Sequence, residues 1–476
     1  MTMLRCSLLG SLLVLAGLPV LAHAQGTAIS AMDTVHLSVS DAVARALRQS
    51  DEVRLATAQV DVTDAQVTQA RATALPTLNL RGSYTQVTKN ARATIVGQIF
   101  GQNYNYVTAL SLTQPLFTGG RLLAATRAAG DVRNASRNQL AETRARLSLD
   151  AQRAYLTALL ARELVEIQEA NAALAEARLT QVQQLEGAGR ASRYDLLKAR
   201  VERANLEPGL LQARSNRELA DIELRQLLNI PETAPIALTT ALDTTALRSL
   251  AQSVAADSAA PQTRPVLRAA QATLDARIEG VRIARSEFFP TVNAFFNTGF
   301  TALPTSSGFP TVWGQTSSTY CPVGSPAERV CQNNGWYPDR SFGIQLQWPL
   351  FDGLRAKGSV DLAQANERVA RAQLDQAREE VAVEVARAVA EFARAEATYD
   401  AQRQNTAEAD EAFRIASLRF ERGLGTQLEV TDAQFALFTA RVNAARATID
   451  YYLATAELAR ARGHDVPLPP TRPVSR

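Results

Sequence analysis

The stretch QPLFTGGR, residues 114–121, returns as WPLFDGLR at residues 348–355. Pro115 and Pro349 stand 234 positions apart. The patterns on either side of these motifs decide the fold. Upstream, TLNLRGSY sets Leu78, Leu80 and Tyr84 on one face and Asn79, Arg81 and Ser83 on the other. In the second copy Phe342, Ile344, Leu346 and Trp348 alternate with Gly343, Gln345 and Gln347. A period of two means strands with one apolar and one polar face. Strands of about ten residues fit an outer-membrane barrel, a soluble sandwich sheet being the bland alternative. Downstream the period changes. Leu147, Ala151, Ala154, Ala158, Ala161 and Val165 follow a heptad rhythm, and so do Val381, Val385, Ala388, Phe392, Ala395 and Tyr399, each 234 positions on. This is coiled-coil patterning. Neither helix contains proline, and at 1.5 Å per residue each is roughly 100 Å long. Pro-Leu-Phe-x-Gly-x-Arg is therefore the joint at which strand becomes helix. Proline ends the strand, having no N–H for the ladder. Gly119 and Gly353 permit the sharp change of direction.

The duplication extends further. EGAGRASRYDLLKA (186–199) aligns with ERGLGTQLEVTDA (421–433) at the same spacing. Glycines at 187, 189, 423 and 425 stop the long helices. Ser192 and Thr426 sit at N-cap positions, with Asp195 and Glu429 at capping-box spacing, Asp being the weaker fit. A second helix then returns, and Pro208-Gly209 should kink it in the first copy. QVTQARATALPTLNL (66–80) matches EGVRIARSEFFPTVNA (279–294), with 20 extra residues inserted later in the second copy. A further stripe on the first long helix (Leu149, Leu156, Leu160, Ile167 and Leu174) lies off the first seam. A helix with two seams touches two neighbours, as in a wall of helices.

The expected organisation is a signal peptide at 1–24 and a first repeat at 25–230, with strand hairpin 77–114 and helical hairpin 119–230. A connector covers 231–263. The second repeat spans 264–463, with strand hairpin 291–348 and helical hairpin 353–462, and a tail covers 464–476. The signal peptide rests on Arg5, the apolar run Leu8–Leu21 and Ala22-His23-Ala24. Nothing else reaches the roughly 18 apolar residues of a membrane helix, so any spanning segment must be a strand. Cys321 and Cys331 share one turn-rich loop, and an exported chain with two close cysteines favours a Cys321–Cys331 disulfide over free thiols.

Net charge is +3 in 476 residues, which implies no nucleic-acid partner. After cleavage the histidines are His36 and His464, with no metal spacing, nucleophile elbow or phosphate loop. No enzyme, cofactor or metal is expected. GAGRAS follows a helix, so it reads as a helix–helix turn rather than a nucleotide cradle.

Four strands cannot seal themselves in lipid, because open edges leave N–H and C=O groups unpaired. Identical chains must pool their strands. Here the sequence closely resembles the outer membrane efflux protein family, the TolC-like exit ducts. The PLFTGGR/PLFDGLR joints, the ARATALPTLNL/ARSEFFPTVNA passages and the GRASRYDLLKA/GLGTQLEVTDA tips carry the likeness, in order, over nearly all of the mature chain. The resemblance implies a mainly α, internally duplicated chain. Three copies would form a 12-stranded outer-membrane β-barrel continuous with a periplasmic α-helical coiled-coil barrel. It implies a homotrimer set in outer-membrane lipid. A periplasmic adaptor would dock at the tips (Gly189, Ser192, Asp195, Leu196, Gly423, Thr426 and Val430). An inner-membrane transporter of RND or ABC type would supply energy for drug efflux or type I secretion. It further implies an acidic periplasmic gate, here Glu429 and Asp432, although Glu429 also reads as a plain cap and Asp432 as a solvated helix face. The family's latch cation falls on Gly425 and its latch tyrosine on Phe420, leaving Arg422, Arg190 or Arg193 as substitutes. A self-standing porin or tube without a pump is the competing reading.

Overall fold

The computed structural model describes residues 34–89, 104–240, 242, 244–256, 264–302, 304, 309–310, 312–313 and 335–470. The expected signal peptide and the expected Cys321–Cys331 disulfide lie outside the described residues. Strand β1 (Val35–Leu37) leads into helices α1 (Val39–Gln49) and α2 (Asp51–Ala72), separated at Ser50, which caps α2 through the Glu52 N–H. Strands β2 (Thr77–Gln86) and β3 (Tyr104–Phe117) follow, then helices α3 (Arg121–Gly187) and α4 (Arg193–Leu227). The connector holds β4 (Ile236–Leu238) and α5 (Thr244–Ala256). The second repeat runs α6 (Pro265–Arg285), β5 (Thr291–Ala302), β6 (Val312–Trp313), β7 (Gly335–Gln347), α7 (Arg355–Glu421) and α8 (Gln427–Ala461). The paired long helices have 67 residues each and the paired return helices 35 each.

The two apolar stripes of α3 go to different neighbours. Leu147, Ala151, Tyr155 and Ala158 are buried against α1 and against Ala220 and Leu224 of α4. Leu156 joins a second cluster with Phe392 and Tyr399 of α7, Tyr451 of α8 and Leu247 of α5. The α4 helix continues through Pro208. Gly209 lies beside Gln168, the polar residue of the α3 seam; a Cβ there would meet Gln168 Nε2 at an ordinary contact distance of 3.6 Å.

Mid-length, β1 pairs in parallel with β4, closing the connector onto the chain's start. The buried Tyr155 hydroxyl donates to the Leu37 carbonyl at 2.9 Å, lies 2.8 Å from Thr240 Oγ1 and accepts from the Thr240 N–H at 3.2 Å. Burial raises this phenol's pKa. Elsewhere along α3, Arg264 and Arg460 both reach Glu142 and Glu384, knotting α3, α7, α8 and the start of α6.

The sheet runs β2-β3-β5-β7-β6, antiparallel through its first four strands. The two hairpins join along β3 and β5, while β2 and most of β7 remain open edges; β6 pairs only with Gly335 and Trp336. The register places Leu78, Leu112, Phe296 and Phe342 in one row of one face. That face is bare: Phe342 is 86% and Leu80 79% exposed. Aromatic side chains mark both of its ends. Tyr84, Tyr106 and Trp336 share the outer row. At the helical end Trp348 donates to the Phe288 carbonyl at 3.2 Å, beside exposed Phe289 and Phe351. Among the described residues no helix is long and apolar enough to cross a membrane.

Gly119 and Gly120 adopt φ of 63° and 84° at the first joint. At the second, Gly353 takes 70° and Leu354 takes 69°, the latter an L-residue held in the left-handed region. Gly119 lies hard against the α6–β5 passage, where a Cβ would fall 2.8 Å from Phe289 Cβ and from the Ser286 carbonyl. The space beside Gly353 is open. Pro115 and Pro349 stand at the same joints, Pro115 inside the last part of β3 at a register shift and Pro349 just beyond β7.

Candidate functional site at the helical tips

Both helical hairpins turn by the same chemistry. Gly189 and Gly423 take φ of 72° and 75°. The N–H groups of Arg190 and Leu424 donate back to the carbonyls of Leu185 and Arg419, each at 2.8 Å. This pattern satisfies carbonyls that the helix end would leave bare. The return helices are then capped differently. Ser192 Oγ accepts from the Asp195 N–H and the Asp195 carboxylate accepts from the Ser192 N–H, both at 3.1 Å, a complete capping box. The bonds from Ser192 hold the Asp195 carboxyl below its ordinary pKa. Thr426 accepts from the Glu429 N–H at 3.3 Å, but the reciprocal backbone bond is absent. Aspartate therefore closes its box and glutamate does not, the reverse of the order its length suggests. Glu429 turns towards Arg419 instead, at 3.8 Å.

Glu429 and Asp432 are both exposed, one helical turn apart at the start of α8. Gly189, Ser192, Gly423 and Thr426 are exposed on the turns; Asp195 and Leu196 are half-buried, and Val430 is buried within the hairpin. Val430 thus supports the second tip from inside rather than lining its surface.

Two features escaped the sequence. The first is an apolar face shared by both tips. Tyr194, Leu197 and Val201 on α4 are exposed, as are Leu428 and Phe435, the residues 234 positions beyond Tyr194 and Val201. Their spacing as one bare stripe was readable, yet only the long helices show two seams in their sequence. The second is Arg178. Its Nη2 donates to the Gln427 carbonyl at 2.9 Å and its guanidinium lies 5.5 Å from the centre of the Phe420 ring. It is 9% exposed, and desolvation lowers its pKa against the opposing charge of Glu202. Gln434 adds a bond to Asn171 Oδ1 at 2.8 Å. These contacts fasten the first hairpin to the second tip. Arg190, Arg193 and Arg422 make no side-chain hydrogen bond or ion pair among the described residues. Within the chain, Arg178 is the arginine that bridges the first hairpin to the second tip. A groove of about 210 Å³ opens between α3, α4 and α8, lined by Arg178, Glu202, Gln434 and Phe435. Among the described residues no group of His, Cys, Asp and Glu could hold a metal ion.

A family model described as "Outer membrane efflux protein" matches residues 42–229 and 258–464. Protein CyaE of Bordetella pertussis is 28% identical over 411 residues, covering 85% of this chain and 79% of that protein. The solved structure of CusC superposes with a TM-score of 0.72 at 20% identity, covering 90% of this chain and 92% of the other. The outer membrane protein VceC of Vibrio cholerae gives 0.71 at 20% identity, covering 90% and 97%. The open-state MtrE outer membrane channel of Neisseria gonorrhoeae gives 0.69 at 20% identity, covering 90% and 89%.

Proposed function

The chain belongs to the outer membrane efflux protein family, and from that premise we propose that it is the exit duct of a tripartite efflux pump or a type I secretion system. It is an outer-membrane channel protein extending into the periplasm, and not an enzyme. In our reading three copies close one 12-stranded barrel over one helical tunnel. Periplasmic adaptor hairpins dock at the tips around Gly189, Ser192, Gly423 and Thr426, and an inner-membrane transporter drives the cargo. Glu429 and Asp432 from three chains ring the mouth with carboxylates, which favours cations there.

One observation carries this reading: the chain is an arc whose two ends are complementary. Strand β3 of the first repeat pairs with β5 of the second, while β2 and β7 are left open. In the same way α6 lies between α3 and α7, whereas α2 packs mainly against α3, with α1 at its start. Each unfilled place in one copy is the place that the repeat fills within the chain. A second copy set on the β7 side would supply β2 to β7 and α2 to α7. Repetition closes the ring and removes every unpaired edge from lipid.

The docking part is tested by changing the bare tip face. Tyr194→Asp and Leu428→Asp should cut adaptor-hairpin binding, measured by interferometry, at least tenfold and abolish export in cells, while the assembled channel still conducts in planar bilayers. Unchanged export with both substitutions would favour a porin that works without a pump.

A further inference from the structure

We infer that the outer end of the sheet carries a seat for a phosphorylated glycolipid of the outer leaflet, with Arg340 as its phosphate ligand and Tyr84 and Phe309, backed by Tyr106 and Trp336, as its sugar-stacking shelf. The inference rests on the outer-membrane reading above, which makes the bare apolar face the lipid face.

The register singles out Arg340. It lies opposite Thr298, in the row of Leu80 and Leu110, and two residues from Phe342 on the same face. It is exposed, and no carboxylate pairs with it among the described residues. Every neighbouring position on that face of β7, from Phe342 through Ile344 and Leu346 to Trp348, is apolar. An arginine facing hydrocarbon is costly unless its head reaches a polar layer.

Height explains how it does so. Arg340 is eight residues outward from Trp348 along the strand, about 26 Å at 3.3 Å per residue. A tilt of 35–45° leaves roughly 20 Å along the membrane normal, against an apolar band about 25 Å tall. The long stem carries the guanidinium across the remainder. Trp336, four residues further out, comes to about 30 Å by the same reckoning, within the headgroup layer. Charge and aromatic row therefore meet the outer boundary together.

The shelf is built there rather than scattered. In the same row Ala302 is completely buried, and Phe309 lies edge-on to Tyr106 at 5.6 Å and beside Trp336 at 5.8 Å. Trp336 Nε1 donates to the Pro310 carbonyl at 3.0 Å and ties Phe309 and Pro310 to the sheet. Tyr84 lies 4.7 Å from Tyr106. Because the next row inward offers only Gly82 and Thr108 on β2 and β3, a groove of about 610 Å³ opens beneath these rings. The exposed rings of Tyr84 and Phe309, backed by half-buried Tyr106 and buried Trp336, suit the C–H faces of sugars, and a guanidinium fork suits a phosphate. A glycolipid bearing phosphate on its sugars presents both, with acyl chains entering the band below.

The test uses the full-length channel in nanodiscs made with bisphosphorylated lipid A, its enzymatically dephosphorylated form and phosphatidylglycerol in equal amounts. Lipids retained after gentle release are read by native mass spectrometry. The wild type should retain bisphosphorylated lipid A at least tenfold over the other two. Arg340→Gln should abolish that preference, Arg340→Lys should keep part of it, and Phe309→Ala should weaken it with the charge intact. Equal retention by wild type and Arg340→Gln overturns the inference, as does phosphatidylglycerol held as well as lipid A. A wild-type chain that does not enter bilayers at all removes the outer-membrane reading and this inference with it.

Discussion

Arg178 Nη2 donates to the backbone carbonyl of Gln427 at 2.9 Å, so a side chain of the first long helix holds the tip of the second hairpin. A hydrogen bond from a charged donor contributes about 1.5–3 kcal/mol. Arg178→Ala should loosen the tips and shift the mouth towards open by roughly one to two orders of magnitude. Arg178→Lys should restore little, because lysine lacks the flat fork that both bonds the carbonyl and covers Phe420. Single-channel conductance in planar bilayers reads this directly. Conductance unchanged in both variants would remove Arg178 from the latch.

Where Arg264 meets Glu142 and Glu384, two guanidinium groups share two carboxylates. Arg264→Met leaves Arg460 to balance both acids and should lower stability by about 3–5 kcal/mol. The acid response has a definite sign. Burial would raise the Glu384 pKa, but the bonds and charges of Arg264 and Arg460 outweigh it and hold it below the ordinary 4.5. The quartet's contribution is therefore complete above about pH 4.5 and is lost as pH falls through the lowered folded value. Denaturant unfolding from pH 6 to pH 3 should show a steeper acid loss in wild type than in Arg264→Met.

Leu354 occupies a left-handed conformation that its counterpart Gly120 adopts freely. That conformation costs a leucine about 1–2 kcal/mol. Since the side chain is 67% exposed, little packing is lost on removing it. Leu354→Gly should raise the stability of the second joint by about 0.5–1 kcal/mol once the extra freedom of the unfolded glycine is subtracted. Gly120→Leu should do the opposite at the first. Equilibrium denaturation of the two variants side by side checks the pair.

Closure between copies requires β2 of one chain to lie along β7 of another. In a background with Cys321 and Cys331 replaced by serine, cysteines introduced at Asn79, Arg81 or Ser83 together with Ser341, Gln345 or Gln347 should cross-link under oxidation. At least one pairing should yield a species of three times the chain mass on denaturing gels. A scan that gives monomer throughout would contradict the shared barrel.

Much of this architecture was legible because periodicity is a local signal. Leu78 and Leu80 declare a strand face and Leu147 to Val165 a seam without knowledge of their partners, and a constant offset of 234 shows two arms of one design. The rest depends on residues that meet only after folding. Arg178 sits beside the seam residues Ala175 and Val182, and nothing local marks it as a bridge. Arg264, Glu142, Glu384 and Arg460 come from four separate elements. Asp195 and Glu429 hold equivalent cap positions, yet only the contact of Glu429 with Arg419 tells them apart. At Pro208 the kink was expected from local chemistry alone, and α4 remains one helix through it.

The long helices match in residue count, as do their return partners, although the second repeat carries an additional loop. That surplus falls between Pro290 and Pro349, outside both helical arms, so it does not alter their reach. The two arms act as matched rulers, so in a closed ring all the turns finish flush in one plane. Removing one heptad from α3 alone would step that rim by about 10 Å at every other turn, whereas removing it from both arms would give a shorter tube with a level mouth.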